Sequence, residues 1–239
     1  MKRVEEQLWF YYFGVSFAFL FVFLFPVQWV LLQKKKWYPA AHRYRSWWAR
    51  LILALWGVRY SVIHPEFKYQ DKPYIICSNH SSYIDILVFL AVFDKNTSFM
   101  AKAELSNIPF FGIYFRTIDI EVDRENGDKG AHAYRLAVKA LQSGQNLVIY
   151  PEGGIFPDPL LIKPFKDGAF QLAIRQQLNI LPVGLPDNYK IIPDAPRTAK
   201  PGKIRIILHE PLKTAGLKTS DMEALKTELH KILQKDILS

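Results

Sequence analysis

The chain has 239 residues, half of them hydrophobic and 15% aromatic, and a formal net charge of +9. That length suits one large domain with a buried core, the composition excludes a disordered chain, and the charge calls for an anionic partner, either membrane lipid or nucleic acid. A single cysteine, Cys77, excludes an internal disulfide, and no Cys/His spacing resembles a zinc site. The expectation is a reducing compartment and no structural metal.

The N-terminus chooses between the two anions. Residues 8–32 ("LWFYYFGVSFAFLFVFLFPVQWVLL") contain no Asp, Glu, Lys, Arg or His. As a helix this run extends roughly 37 Å, enough for a hydrocarbon core of about 30 Å. It is longer than the apolar region of a cleaved signal peptide, and "QKKKWY" follows it in place of a small-residue cleavage site. Lys34, Lys35, Lys36, Arg43, Arg45, Arg50 and Arg59 lie beyond the run, whereas Lys2 and Arg3 before it are partly offset by Glu5 and Glu6. By the positive-inside rule the main domain faces the cytoplasm, from the inner (cytoplasmic) membrane.

Residues 37–58 mix Trp37, Trp47, Trp48 and Trp56 with arginines and end apolar, which suits a helix at the headgroup level. A helix packed on the domain is the other reading. Pro26 and the aromatic density leave open a third arrangement, two helices that dip into one leaflet without crossing. In each case the partner is membrane lipid and not nucleic acid. The chain divides into an anchoring segment, 1–60, and a domain, 61–239.

Beyond residue 65 short β-rich runs alternate with helical patterns. Strands are predicted at 74–78, 97–101, 118–122, 147–150, 180–183 and 204–208, and helices at 82–93, 109–116, 130–142, 165–176 and 220–235. The last helix carries Met222, Leu225, Leu229, Ile232 and Leu233 on one stripe, which suits a helix covering a sheet, and Ser220 with Glu223 fits a capping box. The alternation predicts an α/β fold: a mixed, largely parallel sheet flanked by helices, preceded by the membrane-attached helical segment. There is no internal repeat and no low-complexity linker.

In such a domain ligands bind in loops after strand C-termini, and "SNHSS" (78–82) is such a loop. The imidazole of His80 can take a proton from an attacking alcohol, and Asp85, from the first turn of the next helix, can fix its tautomer. The competing reading is structural, because Ser82 and Asp85 also fit a helix start. Further along, Lys102 stands alone at a strand end and Arg124 follows another strand. "YPEGGIF" (150–156) ends a strand in a turn whose glycines permit close approach of a ligand, and a helix with Lys163, Lys166 and Gly168 follows.

In order and spacing these pieces resemble the membrane-bound glycerolipid acyltransferases typified by 1-acylglycerol-3-phosphate acyltransferase. Asn79, His80 and Asp85 match the family's Asn-His-x4-Asp motif, and Lys102, Glu104, Leu105, Pro109 and Gly112 match its second block, with Val122-Asp123-Arg124 as the Asp-Arg ending. Pro151, Glu152 and Gly153 match the third motif, Pro164, Phe165, Lys166, Gly168, Ala169 and Phe170 the stretch after it, and Leu181-Pro182-Val183 the fourth. Gly154 and Ile155 stand where the family has Thr and Arg, the arginine being associated with the acceptor's phosphate.

The resemblance implies direct acyl transfer from an acyl carrier protein or coenzyme A thioester to the hydroxyl of a lyso-lipid, 1-acylglycerol 3-phosphate, giving phosphatidic acid. His80 would be the general base and Asp85 its orienter. Glu152 with the amides around Gly153 and Gly154 would position the glycerol, and Lys102 and Arg124 would hold the anionic head. No resident cofactor is implied. The departure at 154–155 admits a lyso-ornithine or lyso-glycine type aminolipid as acceptor, or a lipid-binding scaffold without turnover. A serine hydrolase built on Ser78, Ser81 or Ser82 lacks the Gly-x-Ser-x-Gly elbow, and Cys77, within an apolar strand run, is expected to pack.

Overall fold

A computed structural model of the chain describes residues 2–63, 73–93, 96–122 and 127–239, leaving out the side chains of Lys2 and residues 127–129. The apolar run forms one helix, α1 (Lys2–Leu31), which passes through Pro26 without ending. Proline removes a hydrogen bond from a helix interior. Here the turns beside it are held from outside, because Phe21 stacks on Phe111 at 4.6 Å and Phe25 meets Phe110 edge-on at 5.0 Å. A short turn, Lys35–Trp37, leads into α2 (Tyr38–Leu55), which runs back along α1. Tyr44 Oη donates to Leu24 O near one end of the pair and Tyr12 Oη to Leu55 O near the other.

Among the described residues seven strands form one sheet: β1 (Val58–Ile63), β2 (Ile75–Ser78), β3 (Thr97–Lys102), β4 (Ile120–Val122), β5 (Asn146–Ile149), β6 (Ile180–Gly184) and β7 (Gly202–Leu208). Their order is β1-β7-β6-β2-β5-β3-β4, and every pairing is parallel except β6 with β7. The intervening helices are α3 (Ile84–Val92), α4 (Gly112–Thr117), α5 (Gly127–Gln142), α6 (Gly168–Gln176) and α7 (Met222–Ile237). The six predicted strands lie within two residues of those found, and the five predicted helices of the domain within three.

Two features differ from the sequence reading. Strand β1 was not predicted: its residues, mostly half or fully exposed, carry no clean alternation, and the strand exists because the edge of β7 pairs with it, Val58 opposite Gly202 through Ile63 opposite Ile207. The start of α7 is held by Asp221, which accepts the Lys218 N–H at 2.7 Å, while Glu223 pairs with Lys226 in place of capping with Ser220.

The pleat of the central strands divides the core in two. Ile76, Val148 and Leu181 face α1, α2 and α3, with Phe13, Trp48, Ile52 and Val88. Ile75, Cys77, Leu147 and Ile180 face α5, α6 and α7, with Ala137, Phe170, Leu229 and Leu233. Cys77 packs as expected, and burial pushes its thiol well above the ordinary range.

One buried ion pair ties α2 to the sheet edge. Arg45 Nη1 meets Asp119 Oδ2 at 2.6 Å, Arg45 Nη2 donates to Thr97 O, and the guanidinium lies over Phe99 and Tyr114. Burial raises the Asp119 carboxyl, and Arg45 and the Phe99 N–H oppose that shift. Removing one partner leaves the other charge buried alone, so Arg45→Ala is expected to cost about 3–5 kcal/mol in denaturant unfolding, and Arg45→Met with Asp119→Leu to recover most of it.

Candidate active site

Strand β2 lies between β6 and β5, all three parallel, so the loops after Ser78, Ile149 and Gly184 leave the same edge of the sheet. These loops are bonded to one another through side chains. Asn79 binds the backbone after β6 in both directions: its Nδ2 donates to Leu185 O at 3.0 Å, and its Oδ1 accepts the Leu185 N–H at 2.8 Å. Glu152 ties the loop after β5 to the other two segments. Its Oε1 accepts the His80 N–H and its Oε2 the Lys163 N–H, each at 3.0 Å. Glu152 is 6% exposed, and burial raises its carboxyl against those two backbone donors.

Asp85 is the centre of the arrangement. It is fully buried in the first turn of α3, where Oδ2 accepts from His80 Nδ1 at 2.8 Å and from the N–H groups of Ser81 and Ser82 at 3.0 and 3.1 Å. Its Oδ1 accepts from Asn188 Nδ2 at 2.7 Å. An ionised carboxylate only accepts, so this bond places a proton on Nδ1, and in the neutral form of the ring the lone pair is then on Nε2. Asp85 thus holds the helix start through Ser82 and the imidazole through Nδ1, so one carboxylate has the geometry that both readings of the motif require.

The imidazole also has a platform. The Tyr150 ring stacks on it with centroids 4.0 Å apart and planes 17° apart. Burial, and then the Asp85 charge, push the Tyr150 phenol well above its ordinary range, and its hydroxyl has no hydrogen-bond partner among the described residues.

His80 lines a cleft of about 1160 Å³ that runs between α5 and α6 over the ends of β3, β4 and β5. Ala133, Ala137, Ala169, Leu172 and Ile149 make much of its wall apolar, while Lys102, Lys166, Arg135 and Arg175 add positive charge. Gly153, Gly154 and Ile155 also line it, so the expected residues Lys102, His80, Gly153 and Gly154 share one cleft with Asp85 and Glu152 directly behind His80. Arg124 lies outside the described residues. The two glycines differ: Gly153 has φ +89°, a conformation that favours glycine, whereas a Cβ at Gly154 would meet nothing within 4 Å. The turn therefore has room for a side chain at 154.

A family model described as Acyltransferase matches residues 59–186, more than half of the chain. The chain belongs to this acyltransferase family. As an acyltransferase it is 25% identical over 195 residues to human 1-acyl-sn-glycerol-3-phosphate acyltransferase beta, covering 81% of this chain and 70% of that protein. It is 33% identical over 137 residues to the 1-acyl-sn-glycerol-3-phosphate acyltransferase of Helicobacter pylori, covering 57% and 58%. A lyso-ornithine lipid O-acyltransferase of Rhizobium meliloti is 30% identical over 145 residues, covering 59% of this chain and 46% of that one. The crystal structure of a 1-acyl-sn-glycerophosphate acyltransferase from Thermotoga maritima shares the fold, with a TM-score of 0.76 over 99% of this chain and 95% of that one at 23% identity.

Asn188 is the residue the sequence reading missed. It is fully buried in the turn Asn188–Lys190, just after the fourth motif. The turn is fastened by its neighbour Asp187, which binds Arg205 of β7 at 2.7 Å and Lys190 at 2.6 Å. Burial alone would raise the Asp187 carboxyl, but Arg205 and Lys190 outweigh it and bring it down to about 2. A polar pair placed right after a buried strand, "PDNYK" at 186–190, was the available signal. In the acyltransferase, Asn188→Ala leaves Asp85 Oδ1 buried without its donor. The expected loss is about 1–3 kcal/mol of stability, read by denaturant unfolding.

Proposed function

We propose that this acyltransferase moves a fatty acyl group from an acyl thioester to the free hydroxyl of 1-acyl-sn-glycerol 3-phosphate, giving phosphatidic acid at the cytoplasmic face of the inner membrane. The observation that carries the reading is the His80–Asp85 pair, 2.8 Å apart, with the imidazole on the wall of an apolar cleft. The names of the human and Helicobacter pylori relatives supply the acceptor, and the helix α1, long and apolar enough to cross a membrane, supplies the attachment. Residues 1–60 act as the anchoring segment and 61–239 as the catalytic domain.

Nε2 of His80 takes the proton from the acceptor hydroxyl as its oxygen attacks the thioester carbonyl carbon. The tetrahedral intermediate collapses, the carbon–sulfur bond breaks, and the departing thiolate takes the proton back from the imidazolium. Asp85 holds the Nδ1–H tautomer throughout and stabilises the charged ring. No covalent enzyme intermediate is needed. Glu152 locks the His80 backbone against the chain at Lys163, which with the Gly153-Gly154 turn shapes the place for the glycerol. Lys102, exposed at the end of β3, and Arg124 hold the phosphate. The donor is an acyl carrier protein or coenzyme A thioester, both anionic toward a basic chain.

Purified protein in detergent should move a labelled acyl group from such a thioester to the lyso-lipid, and His80→Ala should reduce the rate at least about 1,000-fold with the fold intact by circular dichroism. Residual transfer above about a tenth of wild type would remove the general-base role.

A second acceptor is favoured by one observation, Gly154-Ile155 in place of Thr-Arg, together with the lyso-ornithine relative. An acceptor panel separates the two. With 1-acylglycerol 3-phosphate as acceptor, Arg124→Ala should raise KM roughly tenfold and change kcat little, as loss of a charge-assisted hydrogen bond would. A wild type that uses only lyso-ornithine lipid would move the assignment to the aminolipid.

A further inference from the structure

Residues 105–115 ("LSNIPFFGIYF") form a second uncharged stretch, between Glu104 and Arg116. In a soluble domain a loop of this length at a sheet edge carries charge or buries its apolar side chains. This one carries none, and although Phe111, Ile113, Tyr114 and Phe115 are half-buried, its tip is not. Ile108 is 43% exposed and Phe110 50% exposed, and the turn that presents them is tightly built. Phe110 has φ +69°, a conformation that bulky residues avoid, and the following Gly112 lies so near the Ser106 carbonyl that a Cβ there would come within 2.4 Å of it. Strained backbone is thus spent on turning apolar side chains outward.

The turn is fastened to the apolar helix. Phe110 meets Phe25 and Phe111 stacks on Phe21, while the other side of α1 exposes Phe19 and Phe23 at 67% and 70%. At the far end of α1 the Glu6 carbonyl accepts the Ala199 N–H of the catalytic domain at 2.9 Å. The helix is therefore bound lengthwise to the domain, and on the side where Phe25 meets the turn it also exposes Val22 at 53% and Trp29 at 49%, so what covers these two residues meets the turn as well. Leu105, at the start of the stretch, lines the reaction cleft beside Lys102 and Glu104.

We propose that residues 105–111 are a second membrane-inserting element, which enters the acyl-chain region beside α1 and sets the mouth of the cleft at the lipid surface, where the lyso-lipid enters. This rests on the reading that α1 lies in the bilayer. The occupant is lipid because the stretch has no charge, exposes aliphatic and aromatic side chains together, and adjoins the exposed Val22 and Trp29 of α1.

Single cysteines at Ile108, Phe23 and Lys213, each carrying an environment-sensitive fluorophore on the full chain, test it in vesicles of phosphatidylglycerol and phosphatidylethanolamine; native labelling spares the buried Cys77. Probes at 23 and 108 should shift to the blue and be quenched by nitroxide-bearing acyl chains, and the probe at 213 should not. An aqueous probe at 108 with a quenched one at 23 overturns the proposal and leaves the bilayer reading standing. An aqueous probe at 23 overturns both. Phe110→Asp, which the left-handed backbone tolerates, should raise the apparent KM for vesicle-borne lyso-lipid at least about fivefold and leave that for a short-chain, water-dispersed acceptor within about twofold. An equal change for both acceptors overturns the entry role.

Discussion

A carboxylate with no exposed surface must be surrounded by donors, because an unpaired charge in that position costs several kcal/mol. Asp85 meets this requirement with His80 Nδ1, the Ser81 and Ser82 N–H groups and Asn188 Nδ2. The four donors come from two separate loops, so the fold must bring the chain after β2 and the chain after β6 to one point. Parallel pairing of β2 with β6 does that, and the Asn79–Leu185 bonds fix the two loops in register. The Asn188 turn is held in turn by Asp187 on Arg205, which reaches across to the strand that runs the other way. The geometry of one imidazole therefore depends on the antiparallel corner of an otherwise parallel sheet.

Glu152 completes the same scheme from the other side of β2. Both of its oxygens are committed to backbone N–H groups, so its first task is to hold His80 and the chain at Lys163 at a set distance from each other. With Tyr150 stacked on the imidazole face, His80 is fixed at its backbone, at Nδ1 and at its ring plane. Preorganisation of this kind leaves Nε2 with little freedom except toward the cleft, which is what the proposed role of general base requires.

Much of this was legible in the sequence because the local signals agree with the tertiary result. Ser82 and Asp85 read as a helix start and as half of a dyad, and the structure has both. The predicted strands follow from β-branched runs buried on both faces, the condition under which a continuous apolar run is a strand signal. What could not be read were features whose cause is distant. Strand β1 has no pattern of its own and is a strand because β7 is beside it. Pro26 should interrupt a helix by local rules, yet α1 continues because rings from residues 110–114 brace the turns around it. Asn188 has no spacing relation to Asp85, 103 positions away, and becomes meaningful only once β6 lies beside β2.

The departure at 154–155 is a choice of side chain and not a demand of the backbone. If Gly154 were forced by backbone conformation or by crowding, its presence would say nothing about the acceptor. It is forced by neither, since a Cβ there has open space and only Gly153 needs positive φ. The missing threonine and arginine are then changes in the character of the cleft wall and not accommodations of the turn. Ile155 gives apolar surface where the family carries a cation, while Lys102, Lys166, Arg135 and Arg175 leave the cleft positive elsewhere. If the acceptor binds in this cleft as proposed, it carries its negative charge toward the lysines or the arginines and presents something less polar to residue 155, which constrains how a phosphate or an amino-acid headgroup can lie relative to His80.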